Sequence, residues 1–187
     1  LKLAQENCEA AIALHWVNKQ SMYSRFIALQ DALDLESVPE RIECFDVSHT
    51  MGEATVASCV VFDVNGPVKS DYRRFNITLD VKAGDDYGAM EEAIRRRFTR
   101  LKKGEGRIPD ILLIDGGYGQ MMKARKVLNE LQVDHLTILG VVKGQNRNAR
   151  NDEILIETGD LKGLIKSEAK HLLQQARDEA HRFAIAG

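Results

Sequence analysis

Ile42-Glu43-Cys44-Phe45-Asp46-Val47-Ser48-His49 reads as a strand, and Val56 to Val64, with its run Val-Ala-Ser-Cys-Val-Val-Phe, reads as a second. Asn65-Gly66 follows at once and is a strong hairpin signal, with Pro67 just after it. Val68 to Leu79 then alternates apolar and polar positions and is expected to form a third strand. Three consecutive strands joined in this way form an antiparallel meander. Upstream, Pro39 marks a boundary. Before it, residues 3–18 and 21–34 show helical spacing: Ala10, Leu14 and Val17 make one stripe, Phe26, Leu29 and Leu33 another, and Ser21 is placed to cap the second helix.

Downstream, Asp85-Asp86 opens a helix, where two acids suit the positive end of the helix dipole. Met90, Ala93, Ile94 and Phe98 supply its apolar face, and Pro109 ends the connection. Ile111 to Asp115 is a short apolar strand of the buried, parallel type, followed by the Gly116-Gly117 turn and a helix from Gln120 to Leu131. Leu136 to Val142 is another buried strand, residues 143–151 are a polar loop, and Glu153 to Glu157 is a short strand. A final helix runs from Ser167, as cap, to Ile185. The order βββ-α-β-α-β-(β)-α predicts a mixed α/β fold, with a central mixed sheet flanked by helices. It divides the chain into an N-terminal helical linker, 1–38, and a main domain, 39–187.

The 187 residues are 44% hydrophobic and 29% charged, an ordinary globular balance for one medium domain. No apolar run is long enough to cross a bilayer, and the start carries no secretory signal pattern. The sequence lacks an initiator Met and begins within a helical pattern, so it is expected to be a piece of a longer chain. Cys8, Cys44 and Cys59 form no paired motif and suit buried, reduced thiols of a cytoplasmic protein. The net charge of -2 does not announce a polyanion ligand, but its distribution is uneven. Arg95, Arg96, Arg97, Arg100, Lys102, Lys103 and Arg107 crowd one stretch, while acids gather at Glu91, Glu92, Asp85 and Asp86. A solvated mixed-charge surface explains this pattern as well as basic patches around an acidic pocket do.

Asp46 interrupts a buried strand, where a carboxylate is costly unless paired or bound to metal. Asp115 ends another buried strand beside two glycines, the position where α/β sheets gather functional groups. Either residue alone would also serve as a strand-end turn residue. Together, on two strands of one sheet, they suggest a site for a hard divalent cation, which prefers oxygen ligands. His181 lies late in the final helix and His49 three residues past Asp46. Spacing alone leaves both open between structural and functional roles.

Five motifs stand in order along the chain: Ile42 to Thr50 with Thr55-Val56-Ala57-Ser58, then Tyr72-Arg73-Arg74-Phe75-Asn76-Ile77 and Gly84-Asp85-Asp86-Tyr87. Ile114-Asp115-Gly116-Gly117 with Gly119-Gln120, and Arg177-Asp178-Glu179-Ala180-His181, complete the set. With these motifs the chain resembles the C-terminal endonuclease half of the UvrC family. The resemblance covers Arg41 to Gly187 and implies an RNase H-like fold with a triad of Asp46, Asp115 and His181 that holds the metal, His181 completing the site as a neutral ligand or a proton shuttle. It also implies that Asp86 matches a further acid important for incision, as an outer ligand or as a residue holding the architecture. The implied activity is the 5′ incision at a DNA lesion, with Mg²⁺ or Mn²⁺. The implied partners are damaged double-stranded DNA and UvrB, with UvrA acting upstream, and the domain itself is expected to be a monomer. A GIY-YIG nuclease domain and a helix-hairpin-helix module, which accompany this half in the family, have no counterpart in these residues. Tyr118 stands where the family usually has a lysine, and Gln145 to Lys170 departs from its usual loop.

On this reading the metal lowers the pKa of a bound water, which attacks phosphorus in line, while Arg95 to Lys103 and Lys143 touch the DNA backbone. Two other readings fit the same residues: an RNase H or Argonaute-like nuclease acting on another nucleic acid, and a non-catalytic module that binds DNA or UvrB.

Overall fold

The computed structural model describes residues 2–49, 54–78, 85–144, 152–160 and 167–186, with the backbone alone for residues 159, 160 and 167. The first element is one continuous helix, α1 (Lys2–Leu33), where the sequence predicts two. Ser21 lies inside it and caps nothing; its carbonyl accepts from the Ser24 hydroxyl within the same helix. The first twenty or so positions of α1 are exposed, and Met22, Phe26, Ala28 and Leu29 sink into the core beside the last helix.

The sheet contains β1 (Arg41–His49), β2 (Thr55–Asp63), β3 (Gly66–Pro67), β4 (Arg73–Asn76), β5 (Ile111–Asp115), β6 (Thr137–Val142), β7 (Glu153–Ile156) and β8 (Gly159–Asp160). Its order is β3-β2-β1-β5-β6-β7-β8, with β4 also pairing β2. The β1–β5–β6 centre is parallel, and the pairs on either side of it are antiparallel. The mixed sheet and its opening meander are therefore as the sequence predicts. Gly66 turns the β2–β3 hairpin at φ +114, a conformation open to glycine at little cost. The expected third strand is broken: a 3-10 turn, Lys69–Asp71, separates β3 from β4, and Leu79 lies outside the described residues.

Helices α2 (Asp86–Lys102) and α3 (Tyr118–Glu130) cover one face, and α4 (Ser167–Ile185) lies across β1, β2 and β5 on the other, alongside α1. Asp85 caps α2 by accepting from the Gly88 amide at 3.0 Å. The side chain of Ser167 is outside the described set, so its expected capping is too. Strand alternation sorts β1 cleanly. Ile42, Cys44, Asp46 and Ser48 face α4, while Glu43, Phe45 and His49 face the α2 layer. Cys44 and Cys59 are buried thiols, whereas Cys8 is exposed on α1. Among the described residues no helix is long and apolar enough to cross a membrane.

Candidate active site

The parallel register between β1 and β5 pairs Cys44 with Leu113 and Phe45 with Ile114. One step further, Asp46 and Asp115 stand side by side at the C-terminal ends of neighbouring strands, about 4.8 Å apart in backbone spacing, on the α4 face. Both come from apolar runs, and Asp46 is 5% exposed. Burial and then the charge of Asp46 raise the Asp115 pKa to about 6, with Lys143, Arg177 and His181 pulling back only in part. Immediately beneath them, burial and the same two carboxylates push the Cys44 thiol far above its usual range, so this thiol is inert.

His181 comes to this pair from the opposite end of the sequence. Its Nδ1 lies 3.2 Å from Asp46 Oδ2, with the side chain about half exposed. Because a carboxylate accepts, the ring nitrogen is the donor, which directs Nε2 away from Asp46. Ser48 donates to the same Oδ2 at 3.1 Å. Below His181 on α4, buried Arg177 pairs with Asp152 at 2.5 Å, and Asp152 also accepts from Gln174 and from the Gly144 amide. That cluster ties the chain after β6, including Lys143 near Asp115, to α4.

Asp46, Asp115 and His181 thus converge. Asp86 does something different: at the first turn of α2 its Oδ1 is 2.5 Å from His49 Nε2, and His49 Nδ1 is 3.0 Å from the Thr55 hydroxyl. His49 joins the end of β1 to the start of β2 and of α2, on the face away from Asp46. Among the described residues, no three His, Cys, Asp or Glu side chains close around a point as a ready-made metal cage. What stands there is two adjacent oxygen-rich carboxylates, a donor set that suits a hard divalent cation, with an imidazole on the outer side.

The basic stretch differs most from expectation. Arg97 is buried against Glu43, at 2.7 and 3.0 Å. Arg95 pairs with Glu91 and Glu130, Arg96 with Glu92 and the Asn76 carbonyl, and Lys102 with the Leu131 carbonyl. Arg95, Arg96, Arg97 and Lys102 thus tie α2 to the sheet and to α3, and Arg97 is withdrawn from any ligand, while Arg96, Arg100, Lys102 and Lys103 lie on the surface. Tyr118 opens α3 and donates to the Glu157 carbonyl at 3.1 Å, fastening that helix to the β7–β8 turn. Residues 145–151 and 161–166 of the divergent segment lie outside the described residues. A groove of about 800 Å³ runs along α1 and α4, lined by residues such as Arg25, Lys69, His171 and Arg182, and it does not include the carboxylate pair.

The family model of the UvrC RNase H endonuclease domain matches residues 30–185. This chain belongs to that family. The UvrABC system protein C of Pseudomonas syringae pv. tomato is 55% identical over the whole chain, and that of Pseudomonas fluorescens SBW25 is 54% identical. The chain spans 31% of the length of each. The catalytic domain of human endonuclease V resembles the structure with a TM-score of 0.50, covering 94% of this chain and 95% of that one at 15% identity, a likeness of fold. An RNase H-like nuclease fold with the mixed sheet described above is therefore the architecture of this UvrC-family domain.

Several contributors went unnoticed in the sequence. Ser48 was detectable, because it shares the face of Asp46 by alternation. Ser58 sits opposite Asp46 in the β1–β2 register, and its hydroxyl donates to the Ala180 carbonyl, one residue before His181. The β1–β2 register was the missing information. Asp152 sits beside a polar loop, and nothing in its surroundings advertises a buried carboxylate.

Proposed function

We propose that this domain is a divalent-metal-dependent endonuclease that hydrolyses a DNA phosphodiester, and that it makes the 5′ incision at lesions in nucleotide excision repair. The observation that carries this reading is the Asp46–Asp115 pair on adjacent parallel strand ends, with His181 hydrogen-bonded to Asp46. Nothing in folding favours two like charges packed together under partial burial, whereas a cation between them does. Asp46 and Asp115 would hold Mg²⁺ or Mn²⁺. When bound, such an ion supplies an activated water and neutralises charge on the phosphate.

The protein's own groups perform the rest. His181 keeps its Nδ1 proton on Asp46, leaving Nε2 to take a proton from the attacking water or return one to the leaving oxygen. Ser48 fixes the carboxylate that His181 leans on. Lys143, exposed just past β6, offers a positive charge to a phosphate approaching Asp115. Asp86 serves the site through His49, as a residue that holds its architecture. The substrate is damaged duplex DNA presented by UvrB after UvrA has acted, in the cytoplasm, and the domain alone is a monomer.

The test is nicking of a lesion-bearing duplex, with an RNA–DNA hybrid alongside, in Mg²⁺ or Mn²⁺ with UvrB supplied. Asp46→Asn and Asp115→Asn should each cut the rate at least a hundredfold while circular dichroism stays unchanged. Retained metal-dependent nicking by either variant, or preference for the hybrid, overturns the proposal.

A further inference from the structure

We propose that Ser58, Tyr72 and Arg74 are positioning residues that hold the His181 imidazole over Asp46, an inference that rests on the nuclease reading above. His181 lies one turn from the end of α4, where helices fray. Its contact with Asp46 depends on where that last turn sits. Ser58 on β2, Arg74 on β4 and Tyr72 just before β4 grip the turn around it.

Ser58 donates to the Ala180 carbonyl at 2.8 Å, a fully buried bond. Tyr72 donates to Glu179 Oε1 at 3.2 Å, and its ring meets Phe183 edge-on, with centroids 5.2 Å apart. Arg74 donates to the Phe183 carbonyl and lays its guanidinium 4.8 Å above the Phe183 ring. Residues 179, 180 and 183 are thus each fixed, and they flank 181 on both sides.

The grips are also registered to the carboxylate itself. Asp46 pairs with Ser58 across β1–β2, and Ser58 pairs with Arg74 across β2–β4. Antiparallel partners share a face, so Arg74, Ser58 and Asp46 form one row beneath the end of α4. Whatever moves Asp46 along this row moves the hold on His181 with it. Ordinary helix capping accounts for Arg74 alone, since a cation suits an unpaired carbonyl at a helix C-terminus. It does not account for the adjacent bonds from Ser58 and Tyr72. Burial and the neighbouring Glu179 carboxylate raise the Tyr72 phenol above its usual range, which keeps it protonated as a donor.

The experiment compares wild type, Tyr72→Phe/Arg74→Lys and Ser58→Ala, each with and without His181→Ala. Lysine keeps the charge of Arg74 and loses the planar fork and the stacking. In single-turnover nicking of a lesion duplex with UvrB and Mn²⁺, each set should lower the rate roughly tenfold to a hundredfold, the scale of a small misplacement of a reacting group. The DNA concentration at half-maximal rate and the Mn²⁺ affinity by calorimetry should stay within about twofold, because Asp46 and Asp115 are untouched. In the His181→Ala background the same substitutions should cost nothing more. Nitrogen-15 spectra of His181 should show the Nδ1-protonated ring in wild type and mixed tautomers in the variants.

An equal loss with and without His181, an unchanged rate, or a weakened DNA interaction at intact rate each overturns the proposal. If the double variant fails to fold, Ser58→Ala carries the test alone. If wild type nicks nothing with either metal, the nuclease reading fails. The ring spectra still decide the positioning.

Discussion

Two carboxylates on β1 stand three residues apart on opposite faces of the sheet, and their surroundings differ sharply. Glu43 is fully buried and accepts from Arg97 at 2.7 and 3.0 Å and from Arg41 at 3.0 and 3.3 Å. Arg41 is in turn held by Asp71 at 2.7 Å. Burial opposes the charge on Arg97, but hydrogen bonding to Glu43 and its charge outweigh that and hold the Arg97 pKa above its ordinary value. Asp46 is nearly as buried, yet its partners are a serine, a half-exposed histidine and a second carboxylate. A buried carboxylate matched by two guanidiniums belongs to the architecture. One left beside another acid at an open strand end is short of positive charge, and that shortage is what a cation would fill.

The strongest break in this contrast is Arg97→Met. It leaves Glu43 buried with Arg41 alone, and breaking such a pair costs about 3 kcal/mol, the lower end of the usual range because one guanidinium remains. Chemical denaturation should show that loss, and Glu43→Leu/Arg97→Met should recover most of it by removing the stranded charge. A loss below about 0.5 kcal/mol, the level of an ordinary surface change, would mean that the network does not hold α2 to the sheet.

On the other face the sign reverses. Asp115 has a pKa of about 6 in the fold against an ordinary 3.8, so the folded chain keeps its proton to higher pH than the unfolded chain does. The stability that this group contributes is full below about pH 4 and is lost as pH rises through about 6. The two-unit difference, discounted for partial exposure, is on the order of 2 kcal/mol. With a chelator present, Asp115→Asn should therefore be more stable than wild type at pH 7 by roughly that amount, and about equal to it near pH 4. Saturating Mn²⁺ should raise the stability of wild type more than that of the variant. Parallel pH profiles for the two proteins would show that the acids do not oppose one another.

Much of this contrast was legible in the sequence, and the failures have physical causes. Strand-like apolar runs located β1, β2 and β5 almost to the residue, because buried strands leave few choices. The same logic missed the 3-10 turn at Lys69–Asp71, since Val68, Tyr72 and Phe75 still sound like a strand when the chain between them coils. The two separate apolar stripes and Ser21 as a cap suggested a break in α1, but an exposed helix needs no continuous apolar stripe to run on. Arg97 was hidden among Arg95 and Arg96, although Met90, Ile94, Arg97 and Leu101 follow helical spacing along one buried face. That spacing was the available signal, and composition drowned it. The pairing of Asp46 with Asp115 required the β1–β5 register, which no local pattern contains. His181 became a candidate only through its family motif, because a histidine on a helix carries little information by itself.

The smallest effect asks whether the two faces communicate. Gly119, in the first turn of α3 just past Asp115, packs under Tyr87, the neighbour of Asp86 on α2. A Cβ there would stand 2.6 Å from the Tyr87 ring. Tyr87 is half exposed and able to swing aside, so Gly119→Ala should cost only about 1 kcal/mol, at the low end for overpacking. Gly117 precedes the same helix with φ -84 and open space around it, so Gly117→Ala should change stability by less than about 0.5 kcal/mol. Thermal melts of both variants check the difference, and nicking rates give it meaning. A rate that falls for Gly119→Ala and holds for Gly117→Ala would show that the α2 layer, through Tyr87, helps to set the strand end carrying Asp115. Equal rates would confine the control of that carboxylate to the α4 face, where β1, β5 and His181 meet.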